Sequence, residues 1–176
     1  GRRFATGSDT EVILQMDEEE GEDCVTRFNG DWAFAIWDAP RQRLFAARDR
    51  IGIKPLYLWA RPGSLAFASE LRCFLRAPDF PRELSPSAVA EFLSLGYVSE
   101  RSCIFSAASK LPPGHWLTWD RADGVRTTPY WSPVRAEQGA RSDADLTAEL
   151  QERLKSAVSS HLESEVPLGA FLSGGV

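Results

Sequence analysis

Two places in the chain carry residue types that suit chemistry: Asp9, near the start, and the run Leu172-Ser173-Gly174-Gly175 at the other end. Residues 4–11 read as a short extended piece that delivers Ser8 or Asp9 to the start of a helix with Val12, Ile13 and Met16 on its apolar face. A carboxylate in that position has two uses. It can cap the helix by accepting hydrogen bonds from the open amides, or it can be presented to the ammonium group of a ligand. Spacing alone favours the cap. At the far end, Ser173-Gly174-Gly175 follows residues 168–172, an apolar run that reads as a buried strand. Open α/β sheets take their ligands at the carboxyl end of such a strand. Two glycines let backbone amides close on an anion, and Ser173 adds a rotatable hydroxyl donor. A bare Ser-Gly-Gly is an ordinary turn; the helix and strand that precede it are what point to phosphate.

Other candidates have structural readings. Arg48-Asp49-Arg50-Ile51-Gly52-Ile53-Lys54-Pro55 gathers cations around one acid. It lacks the glycine density with which phosphate loops aim several amides at one anion, so it reads as a turn held by an Arg–Asp pair. His115 lies among aromatics with no nucleophile or acid identifiable beside it, which favours a hydrogen-bonded structural histidine. His161 falls in the last turn of a helix and has no second ligand at metal-binding spacing. Asp17-Glu18-Glu19-Glu20 is a solvated acidic face ending at Gly21. Cys24, Cys73 and Cys103 are odd in number and lack a CxxC pairing, so neither a disulfide framework nor a thiolate metal site is expected.

The elements that must position these residues follow from periodicity. Residues 32–37 and 44–47 are apolar runs around Ala39-Pro40-Arg41-Gln42, the length of a hairpin connection. Neither face of residues 32–37 is consistently polar, which predicts a strand covered on both sides. Residues 65–68 repeat the alternation of large and small, with Ala66 and Ala68 where another layer can approach closely. A short helix is expected to carry Leu71, Phe74 and Leu75. A second helix starts at Ser85-Pro86, stops at Gly96 and should turn Val89, Phe92 and Leu93 inward. Residues 115–119 alternate as a strand, and Asp123-Gly124 turns the chain into its partner at 125–128. Residues 132–139 are polar and irregular, the candidate interdomain linker. Ser142 and Asp145 then open a long helix striped with Leu146, Leu150, Leu154, Val158 and Leu162. The pattern as a whole predicts a layered α/β core.

The 176 residues suffice for one domain or a domain plus part of another. A net charge of -5 argues against nonspecific binding to nucleic acid or anionic membrane. No apolar stretch approaches the ~20 residues that span a bilayer, and cysteine usage fits a cytoplasmic setting. The chain opens without Met and stops directly after two glycines, which reads as a fragment.

Several motifs in one order carry a resemblance. Thr6-Gly7-Ser8-Asp9-Thr10-Glu11-Val12-Ile13-Leu14 is followed by Phe28-Asn29-Gly30 before Phe34-Ala35-Ile36-Trp37-Asp38. Then come residues 48–57, Phe67-Ala68-Ser69-Glu70, Leu111-Pro112-Pro113-Gly114-His115 and residues 166–176. Almost the whole chain resembles the glutamine-hydrolysing asparagine synthetases. The resemblance implies an α/β (α+β) fold: part of a four-layer αββα Ntn-type glutaminase domain over residues 1–135, then the first helix and strand of an α/β ATP-pyrophosphatase-type domain over residues 140–176. Asp9 matches the family's aspartate that holds the glutamine α-ammonium group, a role compatible with capping. Leu172, Ser173, Gly174 and Gly175 match the start of the ATP-binding loop. The implied reaction is an ATP-dependent ligation: aspartate is activated to a β-aspartyl adenylate, which glutamine-derived ammonia attacks with magnesium assisting.

The departures from the family pattern are equally specific. No residue matches the terminal cysteine nucleophile, the Asn-Gly pair of the oxyanion hole is absent, and Asn29-Gly30 aligns with the strand entrance instead. The acidic and hydroxyl residues that complete the pyrophosphate loop lie past residue 176, so no catalytic residue and no magnesium ligand is assigned. These residues alone are expected to catalyse neither half-reaction. The expected partners are glutamine, aspartate and ATP as small-molecule substrates, with no nucleic acid and no membrane; a homodimer is left open. Two alternatives stand beside this reading: a related synthetase of peptide or β-lactam assembly, and a noncatalytic scaffold domain.

Overall fold

The computed structural model describes residues 4–133, 141–162, 166–171 and 174. Two compact units divide the chain, Gly1–Pro133 and Val134–Val176. In the first, helix α1 (Asp9–Glu20) runs into a 3-10 turn (Gly21–Thr26). The hairpin β1 (Ala33–Asp38) and β2 (Arg43–Arg48) follows, then β3 (Tyr57–Arg61), β4 (Ser64–Ala68) and a 3-10 turn (Leu71–Arg76). After α2 (Pro86–Leu95) come β5 (Ser109–Lys110), β6 (His115–Asp120) and β7 (Gly124–Pro129). Helix α3 (Asp143–Ser160) belongs to the second unit.

The strands make two antiparallel sheets, one ordered β1-β2-β6-β7 and the other β4-β3-β5. Successive strand side chains point to opposite faces, and β2 shows the consequence. Leu44 and Ala46 enter a cluster with Leu56, Leu58, Leu111 and Leu117 that joins the two sheets. Phe45 and Ala47 enter a second cluster, with Cys24 and Val25 of the first 3-10 turn and Met16 of α1. On the far side of the smaller sheet, Trp59 packs with Phe74 and Phe80, and Ala66 and Ala68 lie against them. The order of layers is therefore helix, sheet, sheet, helical turn, the layered α/β arrangement expected from the alternating pattern. Each fully buried leucine in these clusters stabilises the fold by ~1.5–3 kcal/mol.

Some expectations change in detail. Only one face of β1 is covered along its length: Phe34 and Ile36 pack toward α1, whereas Ala35 and Trp37 are exposed because β1 is an edge strand. Ser85 caps α2 and Gly96 ends it in the left-handed conformation, as expected. Its buried residue is Ala88 and Val89 is half-buried, whereas Phe92 and Leu93 are 50% and 78% exposed. In the second unit Ser142 caps α3 and exchanges bonds with Asp145, but Leu150, Leu154, Val158 and Leu162 of its stripe are exposed. The expected strand at residues 168–172 is absent over the described residues 168–171, where no neighbouring strand offers a ladder of hydrogen bonds. Residues 134–139 of the expected linker lie outside the described residues.

Candidate functional site

The start of α1 is built so that Asp9 is left over. Ser8 takes the cap position with extended backbone, and its Oγ accepts from the Thr10 amide at 3.3 Å. Glu11 reaches back over the same turn, where its carboxylate accepts from the Ala5 and Thr6 amides, each at 2.7 Å. Those backbone bonds and the Thr6 hydroxyl hold the Glu11 carboxyl below its usual range. Of the two residues expected at the helix start, Ser8 takes the cap, so the cap reading favoured for Asp9 is corrected: Asp9 is the first helical position, and among the described residues its carboxylate has no hydrogen-bond or ion-pair partner.

That carboxylate borders a pocket of about 430 Å³ shared with Val12 and Ile13 of α1 and with Arg27, Phe28, Asn29, Gly30, Asp31 and Trp32. The second wall is the irregular segment that leads into β1. It is fixed from behind, since the Trp32 carbonyl accepts from the Asp49 amide at 2.9 Å and the Phe28 ring meets Trp32 edge-on at 5.6 Å. The Arg27 guanidinium lies 3.6 Å from Glu20, with both side chains partly exposed, a pair of small energetic weight. A small pocket with the Asp9 carboxylate at its edge and Arg27, Asn29 and a second carboxylate, Asp31, in its lining suits a zwitterionic ligand whose ammonium group meets Asp9. Arg27, Asn29 and Asp31 have no sequence spacing that ties them to Asp9; the turn after α1 brings them there.

Asp49 and Arg48 are each almost fully buried, yet they do not pair with one another. Asp49 accepts from the amides of Ile51, Gly52, Ile53 and Lys54 at 2.7–3.2 Å. Arg48 donates to the carbonyls of Lys54, Gly52 and Leu111 and to Glu100. The expected Arg–Asp pair is corrected accordingly, while the structural reading of the turn stands. His115 Nδ1 lies 2.7 Å from the Pro113 carbonyl, consistent with a hydrogen-bonded structural role. Burial, reinforced by Asp17, Glu20 and Glu22, pushes the Cys24 thiol up to about 12, which removes it as a nucleophile. Among the described residues no group of His, Cys, Asp and Glu could hold a metal ion, and no helix is long and apolar enough to cross a membrane. Leu172, Ser173 and Gly175 lie outside the described residues. Gly174 has no atom within 4 Å of where a Cβ would stand.

Residues 1–131 match the model of the glutamine amidotransferase domain, and the chain belongs to that family. Residues 149–176 match the asparagine synthase model. The asparagine synthetase [glutamine-hydrolyzing] 3 of Bacillus subtilis (strain 168) is 38% identical over 177 residues, covering 100% of this chain and 28% of that protein. A putative asparagine synthetase [glutamine-hydrolyzing] 2 of Methanocaldococcus jannaschii is 34% identical over 97% of this chain and 34% of its own length. Among solved structures, the glutamine phosphoribosylpyrophosphate amidotransferase from B. subtilis complexed with ADP and GMP aligns over 76% of this chain and 25% of its own, at 19% identity and a TM-score of 0.48. The chain spans about a third or less of the curated relatives it matches.

Proposed function

We propose that the chain is a portion of a glutamine-hydrolysing, ATP-dependent asparagine synthetase, with a glutaminase part over residues 1–135 and the beginning of a synthetase part over residues 140–176. The observation that carries this reading is the succession of a glutamine amidotransferase match and an asparagine synthase match in one chain. The free Asp9 carboxylate at the pocket rim supports the first half, because an α-ammonium group needs a charged acceptor not already satisfied within the protein. In this reading Asp9 holds glutamine for hydrolysis, and the ammonia released attacks activated aspartate. Leu172, Ser173, Gly174 and Gly175 are assigned to the start of the ATP loop on the family resemblance; magnesium is assigned no ligand here. The setting is the cytoplasm, and the partners are glutamine, aspartate and ATP, without nucleic acid or membrane. A homodimer is the assembly to test. Neither a peptide or β-lactam synthetase nor a noncatalytic scaffold is favoured by the curated relatives cited above.

The deciding experiment is an assay of asparagine formation by the full-length protein with glutamine, and separately with ammonia, as nitrogen source. Asp9→Asn removes a charge-assisted bond worth about 1.5–3 kcal/mol, so the glutamine KM should rise at least tenfold while ammonia-dependent synthesis stays. Equal loss of both activities would instead make Asp9 a folding residue.

A further inference from the structure

We propose that Tyr130 is a positioning residue for the pocket at Asp9, acting through Trp32; this rests on that pocket being the glutamine site. Trp32 and Phe28 line the pocket, and Tyr130 does not. The Tyr130 ring lies stacked on Trp32 at 6.0 Å with an interplanar angle of 18°, whereas the Phe28 ring stands nearly perpendicular to Trp32 at 5.6 Å. Tyr130 is itself held at two points. Its hydroxyl donates to the Arg48 carbonyl at 2.8 Å, and its amide donates to the Gly114 carbonyl at 2.9 Å. The contact is distant in sequence, since Tyr130 follows β7 and Trp32 precedes β1.

The pocket wall at residues 27–32 belongs to no strand, so no ladder fixes its side chains. Phe28 and Phe34 pack on the indole at 5.6 and 5.3 Å, and Tyr130 adds the one stacked contact among the described residues, from a ring itself hydrogen-bonded to Arg48. A ligand that meets a preset wall does not have to order it on binding. Tyr130 touches the pocket wall at Trp32 without lining the pocket, so its effect should fall on glutamine affinity and spare the ammonia-dependent reaction.

The test uses the full-length enzyme, with Tyr130→Phe, which keeps the ring and drops the hydroxyl bond, and Tyr130→Met, which keeps apolar bulk and drops the stack. The expected glutamine KM rises about threefold for Tyr130→Phe and about tenfold for Tyr130→Met, the range that ordering one large side chain commands. Glutaminase kcat should move less than KM, and ammonia-dependent synthesis should be unchanged. A glutamine KM within 1.5-fold of the parent in Tyr130→Phe overturns the proposal, and that variant decides alone if Tyr130→Met fails to fold. Equal loss of glutamine- and ammonia-dependent activity in Tyr130→Phe also overturns it. Asp9→Asn is measured in parallel. If it leaves KM unchanged, the pocket reading falls and the proposal with it; if it raises KM while the Tyr130 variants do not, only the positioning role falls.

Discussion

Arg48 and Glu100, 52 positions apart, meet at 2.6 Å, with Glu100 supplied by the segment that joins α2 to β5. The guanidinium is buried and the carboxylate is half exposed, so the two ends of the pair have unequal worth. Glu100 can exchange its bond for water, whereas the carbonyls of Gly52, Lys54 and Leu111 have the Arg48 guanidinium as donor inside the fold.

Arg48→Met should therefore destabilise the chain by about 3–5 kcal/mol, because it strands buried carbonyls and the facing carboxylate together. Glu100→Gln should cost about 1 kcal/mol or less, since the pair is open to solvent on one side. Urea denaturation of the two variants reads the difference directly; similar midpoints would show that Glu100 dominates the interaction.

Gly52 sits in the same network at φ +72°, where an added Cβ would stand 2.8 Å from Pro113 Cγ and 2.9 Å from Arg48 Nη2. Gly63 has nearly the same backbone, φ +70°, with nothing within 4 Å. Gly63→Ala should cost about 1 kcal/mol from left-handed backbone alone, and Gly52→Ala about 2–4 kcal/mol once the clash is added. Equal melting temperatures for the two variants would count against the close packing of the turn on Arg48.

The Glu11 carboxyl is held below its ordinary 4.5, first by the Ala5 amide and then by Thr6. Its folded value is depressed, so the ordering it gives is present above the unfolded value and is lost as pH falls through the folded one. Ala5 and Thr6 amide resonances should consequently shift with a midpoint below pH 4.5. A midpoint at or above 4.5 would show that Glu11 does not hold that segment.

Burial pushes the Tyr130 phenol up to about 12 from an ordinary 10.0. A raised phenol pKa contributes stability below pH 10 that disappears as pH climbs toward 12. Alkaline unfolding followed by urea at several pH values should show a steeper fall above pH 10 in the parent than in Tyr130→Phe. Parallel curves would mean that the phenol titrates as it does in the unfolded chain.

Local pattern and backbone chemistry settled a large part of this protein in advance. Two apolar runs around a turn-length interval marked the first hairpin, Ser85-Pro86 and Gly96 bounded α2, and Ser142 with Asp145 opened α3, because local pattern and caps act over a few residues. The same sequence left the partners of Arg48 and Asp49 misassigned. Side chains next to each other along extended backbone point apart, so each took partners that the fold delivered from elsewhere. Which face of α2 turned inward was likewise a tertiary matter: apolarity ranks residues for burial, but only the surface opposite α2 determines that Ala88 fits where Phe92 does not. Asp9 could be singled out by type and spacing. Its freedom to meet a ligand was decided in three dimensions, when Ser8 took the cap, Glu11 took the preceding amides, and the turn after α1 folded residues 27–32 across from it.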